Sequence, residues 1–469
     1  MSRERWLIAL VSIAVLLGML LFSSVLVTDR RREAAVGQLK SRGRRVLDQR
    51  MGAQGASKGP ALVADASVGR QAGREHSVAP SAEDSVAVFA GMMEKKKALW
   101  GNPSWEEAIK ILGDKKPAEW TDAERQKVAE FMTASREMIL ELRALAASGG
   151  PLYELDYSKG YAMELPHLAQ FRDFARLLMA DAGLKAGEGN YGEAVEDIIA
   201  GMQLATNLEK EPLVISQLVR IAMDSIIYGG VEQSVLGQHL TPDLAGKLTE
   251  YASGARGREA FADSYTFDGF FGLEAFEALR TGDLTRSGID SGLAQTPLDS
   301  FLFRVYGSVF ARPWLNMDEE IYADTIQRTG EAARLPFYEA KPLLDEIDTV
   351  LEELPRTRIL SRTLLPPLLT RAAEMQAGHE ARMDLMQLGL AVEQYYMQNG
   401  QYPATLDQVA PVFGGALPLD PFTGQPYVYQ PSGGSFLIYS ALSSVVDINR
   451  ARRFPGADEQ GNLVWRGSH

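Results

Sequence analysis

Apolar and polar positions along this chain fall into three regimes. The first carries no charge at all: residues 6–27, from Trp6 to Val27, form a run of 22, long enough to cross the roughly 30 Å hydrocarbon layer as a helix. An uncleaved membrane span is the expectation, because Ser23-Ser24-Val25-Leu26-Val27-Thr28 makes a poor small-residue cleavage site. In the second regime, from Ser85 to about Arg382, apolar residues recur at helical spacing with no convincing run of strand alternation. The third lies near the C-terminus, where residues 426–430 and 435–440 flank Ser432-Gly433-Gly434 and predict a hairpin. Between the first two regimes, Met51 to Asp84 is rich in Ala, Gly, Ser and Val without periodicity, and reads as a flexible tether.

Local stop and start signals sharpen the helical regime. Thr121 followed by Glu124 makes a capping box, opening a helix through Phe131, Met138, Ile139 and Leu142 that Gly149-Gly150-Pro151 stops. Thr241-Pro242 opens another, with proline at the first helical position. Around Gly189-Asn190-Tyr191 two segments with small facing residues predict a helical hairpin of the kind found in tetratricopeptide repeats. No second copy follows at a period near 34 residues, so general α-hairpin packing stands beside a repeat array as the reading. A further helix from Pro212 to about Tyr228 sets Val214, Leu218, Ile221, Ala222 and Ile226 on a face expected to be buried.

The fold class that results is mainly α. Residues 1–5 are a tail, 6–27 a transmembrane helix, 28–84 a basic juxtamembrane segment and linker, 85–363 a large α-helical domain with hairpin or repeat-like packing, and 364–469 a small α+β module. With 469 residues, 46% of them hydrophobic, the chain is long enough for sizeable cores.

Composition removes several chemistries. There is no cysteine, hence no disulfide, no thiol nucleophile and no thiolate metal site. The five histidines, His76, His167, His239, His379 and His469, are scattered, and none has a second at the i, i+4 spacing of a helical zinc site. No phosphate loop, dinucleotide fingerprint or nucleophile elbow is present. The net charge of −13 hides a split, about +6 in residues 1–50 and about −19 in the rest. An acidic body offers no electrostatic footprint for nucleic acid. Asp318-Glu319-Glu320, with Asp345, Glu346 and Asp348, raises the alternative of a hydrolase-type carboxylate centre, using acids such as Glu319 or Asp345. The stronger reading is that acids bunched at helix starts are solvated groups stabilised by the helix dipole.

The last quarter of the chain has a characteristic order. A long helix ends at Asn399-Gly400, and Tyr402-Pro403 leaves it extended. Asp420-Pro421-Phe422-Thr423-Gly424 forms a rigid loop, and Tyr439-Ser440 ends the hairpin. This order resembles the major, G-type pseudopilins of type II secretion, with Gly400, Tyr402, Pro403, Asp420, Pro421, Gly424, Tyr439 and Ser440 as the matching structural positions. In that family the loop after Tyr-Ser binds calcium through closely spaced aspartates. Here the resemblance leaves Asp447 and Asp458 as the candidate calcium ligands, fewer than the six or more oxygens calcium usually takes. No other cofactor is implied. The family's N-terminal glycine cleavage site and Phe-Thr-Leu-x-Glu sequence do not surround residues 6–27, so processing and polymerisation as a pilin are not expected. The whole arrangement is similar to membrane-anchored proteins of planctomycete-type bacteria, a similarity that carries no activity.

Taken together, these readings predict a non-enzymatic envelope protein of the bacterial inner membrane, with residues 6–27 in lipid and protein partners among secretion or pilus components; a helical scaffold without a secretion role is the other alternative. The pseudopilin resemblance puts the C-terminal bulk in the periplasm. Positive charge argues the reverse, because residues 29–50 carry seven Arg and one Lys against three acids. That basic run could also bind anionic head groups.

Overall fold

The computed structural model describes residues 23–46, 48, 82–115, 117–149, 151–157, 159, 163–234, 241–254, 257–281, 305–306, 308, 311–355, 358–365, 368–451 and 457–468. Residues 6–22 of the uncharged run and 51–81 of the tether lie outside them.

The chain enters through α1 (residues 23–46), which continues the uncharged run as a helix and then docks on the body. Val36 and Leu39 are buried in a core shared with Phe276, Leu315 and Tyr322. Close approach is possible because Gly43 lies against Phe270: a Cβ there would stand 3.0 Å from the Phe270 Cβ. The basic run is therefore partly used up by the protein itself. Arg32 pairs with Glu319 at 2.8 Å and Arg42 with Glu331 at 2.6 Å, while Arg30 and Arg31 stay exposed.

Helices α2 (Ala82–Trp100), α3 (Glu106–Asp114), α4 (Asp122–Ala134) and α5 (Arg136–Ala147) follow. The capping box at Thr121 is present in both directions, Glu124 N donating to Thr121 Oγ1 at 3.3 Å and Thr121 N to Glu124 Oε2 at 2.9 Å. The single helix expected from Thr121 to the glycines is two, broken at Ser135. Its hydroxyl donates to the Phe131 carbonyl at 2.8 Å, and its backbone φ/ψ of −92°, −3° leaves the regular helix. A side chain that back-bonds to i−4 bends the helix it sits in.

The hairpin expected around Gly189 is formed by α6 (His167–Gly187) and α7 (Tyr191–Asn207), with Gly189 at φ +81° in the turn. Both pack on α8 (Val214–Ser234). Val214–Val231 is apolar and long enough to cross a membrane, with a mean hydropathy of 1.3, yet 61% of that stretch is buried inside the body. Its composition is that of a core helix. Next come α9 (Pro242–Gly254), opened by Thr241 as expected, α10 (Arg258–Thr281), α11 (Arg312–Ala332), α12 (Phe337–Glu352), α13 (Ile359–Leu364) and α14 (Leu368–Asn399).

The end of the chain is a three-stranded antiparallel sheet, β1 (Val428–Ser432), β2 (Ser435–Ser440) and β3 (Leu463–Ser468), with β2 in the middle. The expected hairpin pairs Val428 with Tyr439 through Ser432 with Ser435. The third strand was not expected: Leu463, Val464, Trp465 and Gly467 are all buried, so the period-2 pattern that marks a half-buried strand is missing. One face of the sheet rests on α14.

That helix is also the spine of the body. α14 packs on α8, α9 and α12 as well as on the sheet, and every residue from Gln376 to Glu393 is buried. One apolar core runs from Phe89 in α2 to Trp465 in β3. Tyr228 of α8 donates to the Val464 carbonyl at 3.0 Å, Tyr338 N to the Pro421 carbonyl at 3.0 Å, and Phe337 stacks edge-on with Phe422. The described residues of the C-terminal module thus share one core with the helical body.

Candidate functional site

A cavity of about 550 Å³ lies where the turn before α4 crosses α6 and α8. The chain reaches it through Pro117–Glu119, a 3-10 turn that sets Trp120 immediately before the Thr121 cap. The cap is reinforced electrostatically: the Lys115 ammonium, 2.6 Å from Glu124, together with the Thr121 N–H holds the Glu124 carboxyl down at about 2. The walls come from Leu112, Met179, Ala180, Ala222 and Ile226. Two of these, Ala222 and Ile226, belong to the apolar face read from the sequence, and their half-burial reflects this opening.

Glycines shape the space. A Cβ on Gly230 would stand 2.2 Å from the Met179 sulfur, so only glycine lets α6 and α8 approach this closely. A Cβ on the adjacent Gly229 would meet nothing within 4 Å, because it faces the cavity. Asp114, Lys115, Glu119, Arg172 and Arg176 form the polar rim. Trp120 is 7% exposed, and its indole nitrogen has no hydrogen-bond partner among the described residues.

Behind the cavity stands a buried polar network that ties α8 to α14. Ser225, on the cavity wall, accepts from Arg382 Nη1 at 2.7 Å and donates to the Ile221 carbonyl at 3.1 Å. Burial lowers the Arg382 guanidinium to about 10. One residue earlier, Asp224 lies 3.3 Å from Arg220 and 3.4 Å from His379, and burial pushes its carboxyl up against the opposing pull of Arg220. Arg220 donates onward to Gln217 at 3.1 Å and to Gln376 at 2.9 Å, and Gln376 to Glu380, which pairs with Arg258 at 2.9 Å. Gly257, at φ +58°, is pressed so close to the Arg220 guanidinium that a Cβ would stand 2.5 Å from it.

Neither Ser225 nor Ser216 is arranged for nucleophilic catalysis. Ser225 gives its proton to a backbone carbonyl and faces an arginine. In the second cluster, Glu211 accepts both Ser216 Oγ at 2.5 Å and His167 Nε2 at 2.9 Å, so the serine proton points to the carboxylate and not to the imidazole. A nucleophile needs a base within reach of its own proton and an approach for substrate. His167 is fully buried and stacked on Tyr153 at 4.0 Å.

The motif positions from the sequence gather at the joint of α14, the sheet and α12. Gly400 has φ +70° and donates to the Tyr396 carbonyl at 2.7 Å, ending α14. Tyr402 is buried against Tyr396, and Pro403 gives its carbonyl to Tyr429 Oη at 2.9 Å. Asp420 accepts from Phe422 N at 2.9 Å and Ser440 Oγ at 3.0 Å, while Gly424, at φ +68°, lies against the Tyr338 ring. Tyr439 pairs with Val428 and Val464 across the sheet, and the Pro421 carbonyl receives Tyr338 N. Each is a structural contact.

The candidate calcium ligands are turn caps. Asp447 Oδ1 accepts from Asn449 N at 3.0 Å and Asp458 Oδ1 from Asn462 N at 2.8 Å. Among the described residues no group of three or more His, Asp or Glu is arranged to hold a metal ion. The acids of the hydrolase alternative are likewise engaged. Glu319 joins Arg32 and Arg280, and Asp345 pairs with Lys341 at 2.6 Å on the surface. The expectation that the bunched acids are all solvated fails at two positions: Asp318 and Glu319 are buried. Asp318 accepts from Tyr306 Oη at 2.6 Å and from Leu360 N and Ser361 N at the start of α13.

Trp120, Arg172, Arg176 and Ser225 were not singled out by the sequence. The Thr121 capping box next to Trp120 and the Gly229-Gly230 pair inside a helical pattern were the available signals. Set beside known proteins, the chain matches no family model, no curated protein and no solved structure.

Proposed function

We propose that this chain is a non-enzymatic, membrane-anchored binding protein of the bacterial envelope, held in the inner membrane by residues 6–27 with its helical body in the periplasm. The observation that carries the reading is α1. The last five residues of the uncharged run are already helical, with Leu26 and Val27 about half exposed, and the same helix then locks onto the body through Arg32, Glu319 and Arg280. An apolar helix that emerges from a buried ion-pair cluster is suited to hold a rigid body at a fixed attitude to the bilayer. Removing one partner from such a cluster leaves a buried charge uncompensated. The pairing of Glu319 with Arg32 and Arg280, and of Asp345 with Lys341 on the surface, supports binding over hydrolysis by these acids.

The pseudopilin-like end has a modest part in this proposal. Between Gln376 and Glu393 its helix is covered by the body and the sheet, which leaves that stretch no free face for polymerisation, and secretion or pilus components are the first partners to test at the outer surface. Sodium carbonate extraction of membranes from expressing bacteria, compared with a variant lacking residues 1–22, tests the anchor. The full chain is expected in the pellet and the variant in the supernatant. Full-length protein in the carbonate supernatant would overturn the reading, and protease resistance of the body in intact spheroplasts would overturn its periplasmic placement.

A further inference from the structure

The cavity between α6 and α8 combines three features that together specify a ligand chemistry. Its walls are mostly carbon, from Leu112, Met179, Ala222 and Ile226, and about 550 Å³ is within the range that encloses a small molecule. Trp120, more than nine-tenths buried, lines it with its ring, while its indole N–H is itself closed off from the cavity and meets no acceptor among the described residues. A buried donor is normally satisfied, and a turn of the ring toward the cavity brings this one to an acceptor carried by a ligand. On the α6 side of the rim, Arg172 enters no ion pair among the described residues, and Arg176 spends one N–H on Asp173 at 3.1 Å, leaving further guanidinium donors.

Resting on the reading of this chain as a binding protein, we propose that the cavity takes an amphipathic monocarboxylate: an apolar tail between α6 and α8, and a carboxylate that accepts from the Trp120 indole and from Arg172 and Arg176. A single negative charge fits better than two, because Asp114 and Glu119 share the rim and repel a more highly charged head. Ser225 and the fully buried Arg382 behind it give the floor a fixed polar point.

Calorimetry on the full chain in nanodiscs of uncharged lipid, corrected with empty nanodiscs, tests this with octanoate, octanol and acetate. Octanoate is expected to saturate one site, with octanol and acetate weaker by about tenfold or more, because each lacks either the head or the tail. Trp120→Phe and Arg172→Ala should each weaken octanoate by about tenfold, the loss of one charge-assisted bond. Gly229→Leu should abolish binding, since a side chain there grows into open space. Arg172 is exposed, so its variant leaves the fold intact even if a cavity variant does not. Unsaturable octanoate binding, equal affinity for octanol, or octanoate affinity unchanged in both Arg172→Ala and Gly229→Leu overturns the proposal. Carbonate extraction reports the anchor separately, so failure here is distinguishable from failure of the membrane-anchored reading.

Discussion

Asp420 shows how a residue picked out by sequence acquires its energetics from tertiary burial. It is 2% exposed, and burial pushes its carboxyl above the ordinary range even though Phe422 N–H and Ser440 Oγ–H favour the charged form. A carboxyl raised in the folded state binds its proton more tightly there than in the unfolded chain. Its contribution to stability is therefore complete below the unfolded value near 3.8 and is lost as pH rises through the folded value. In Asp420→Asn the amide oxygen still accepts from Phe422 N–H but cannot titrate. Denaturation of the two proteins from pH 3 to 7 should show the wild type losing stability relative to the variant as pH rises, by about 1.4 kcal/mol for each unit of upward shift. A wild type that gains on the variant with pH would mean that the hydrogen bonds to the carboxylate win.

For the helices, glycines separate two physical effects that sequence propensity merges. Gly389 in α14 and Gly229 in α8 both cost about 1 kcal/mol against alanine by propensity alone. A Cβ on Gly389, however, would stand 2.0 Å from the Trp465 indole nitrogen, whereas one on Gly229 meets nothing. Gly389→Ala is expected to destabilise the protein by about 1–3 kcal/mol, because overpacking exceeds the propensity gain. Gly229→Ala should be neutral or stabilising by up to about 1 kcal/mol. Chemical denaturation of the pair checks both signs at once. Equal stabilisation in both variants would mean that the sheet yields to α14 without cost.

At the scale of the whole molecule, α14 decides the architecture. It is buried from Gln376 to Glu393, and the polar groups on it are matched by partners far away in sequence, Arg220 with His379 and Gln376, Arg258 with Glu380, Tyr427 with Asp384. A helix hydrophobic on one stripe could have lain between two domains; one covered all round belongs to both. Removing residues 364–469 should therefore leave residues 82–363 without a cooperative thermal transition, since the deletion uncovers the apolar surfaces of α8, α9 and α12 together. A truncated body that melts sharply, with native helicity, would restore the picture of an independent C-terminal module.

Local chemistry was legible in the chain. The Thr121 box, the Thr241-Pro242 start, the Gly189 turn, the Gly400 stop and the β1–β2 hairpin each depend on a few adjacent residues, whose φ/ψ preferences and side-chain bonds act over one turn. The cavity and its polar backing were not legible, because their parts come from the turn at Trp120, from α6, α8 and α14, and meet only when the helices pack. The same holds for Asp318 and Glu319, which read as solvated acids until Tyr306, Arg280 and Arg32 are brought to them. Sequence by itself determined the starts and stops marked by caps, glycines and prolines, since those signals are short-ranged, but not the break at Ser135 or the third strand; tertiary structure alone decided which polar groups are buried, because desolvation depends on neighbours that no local pattern records.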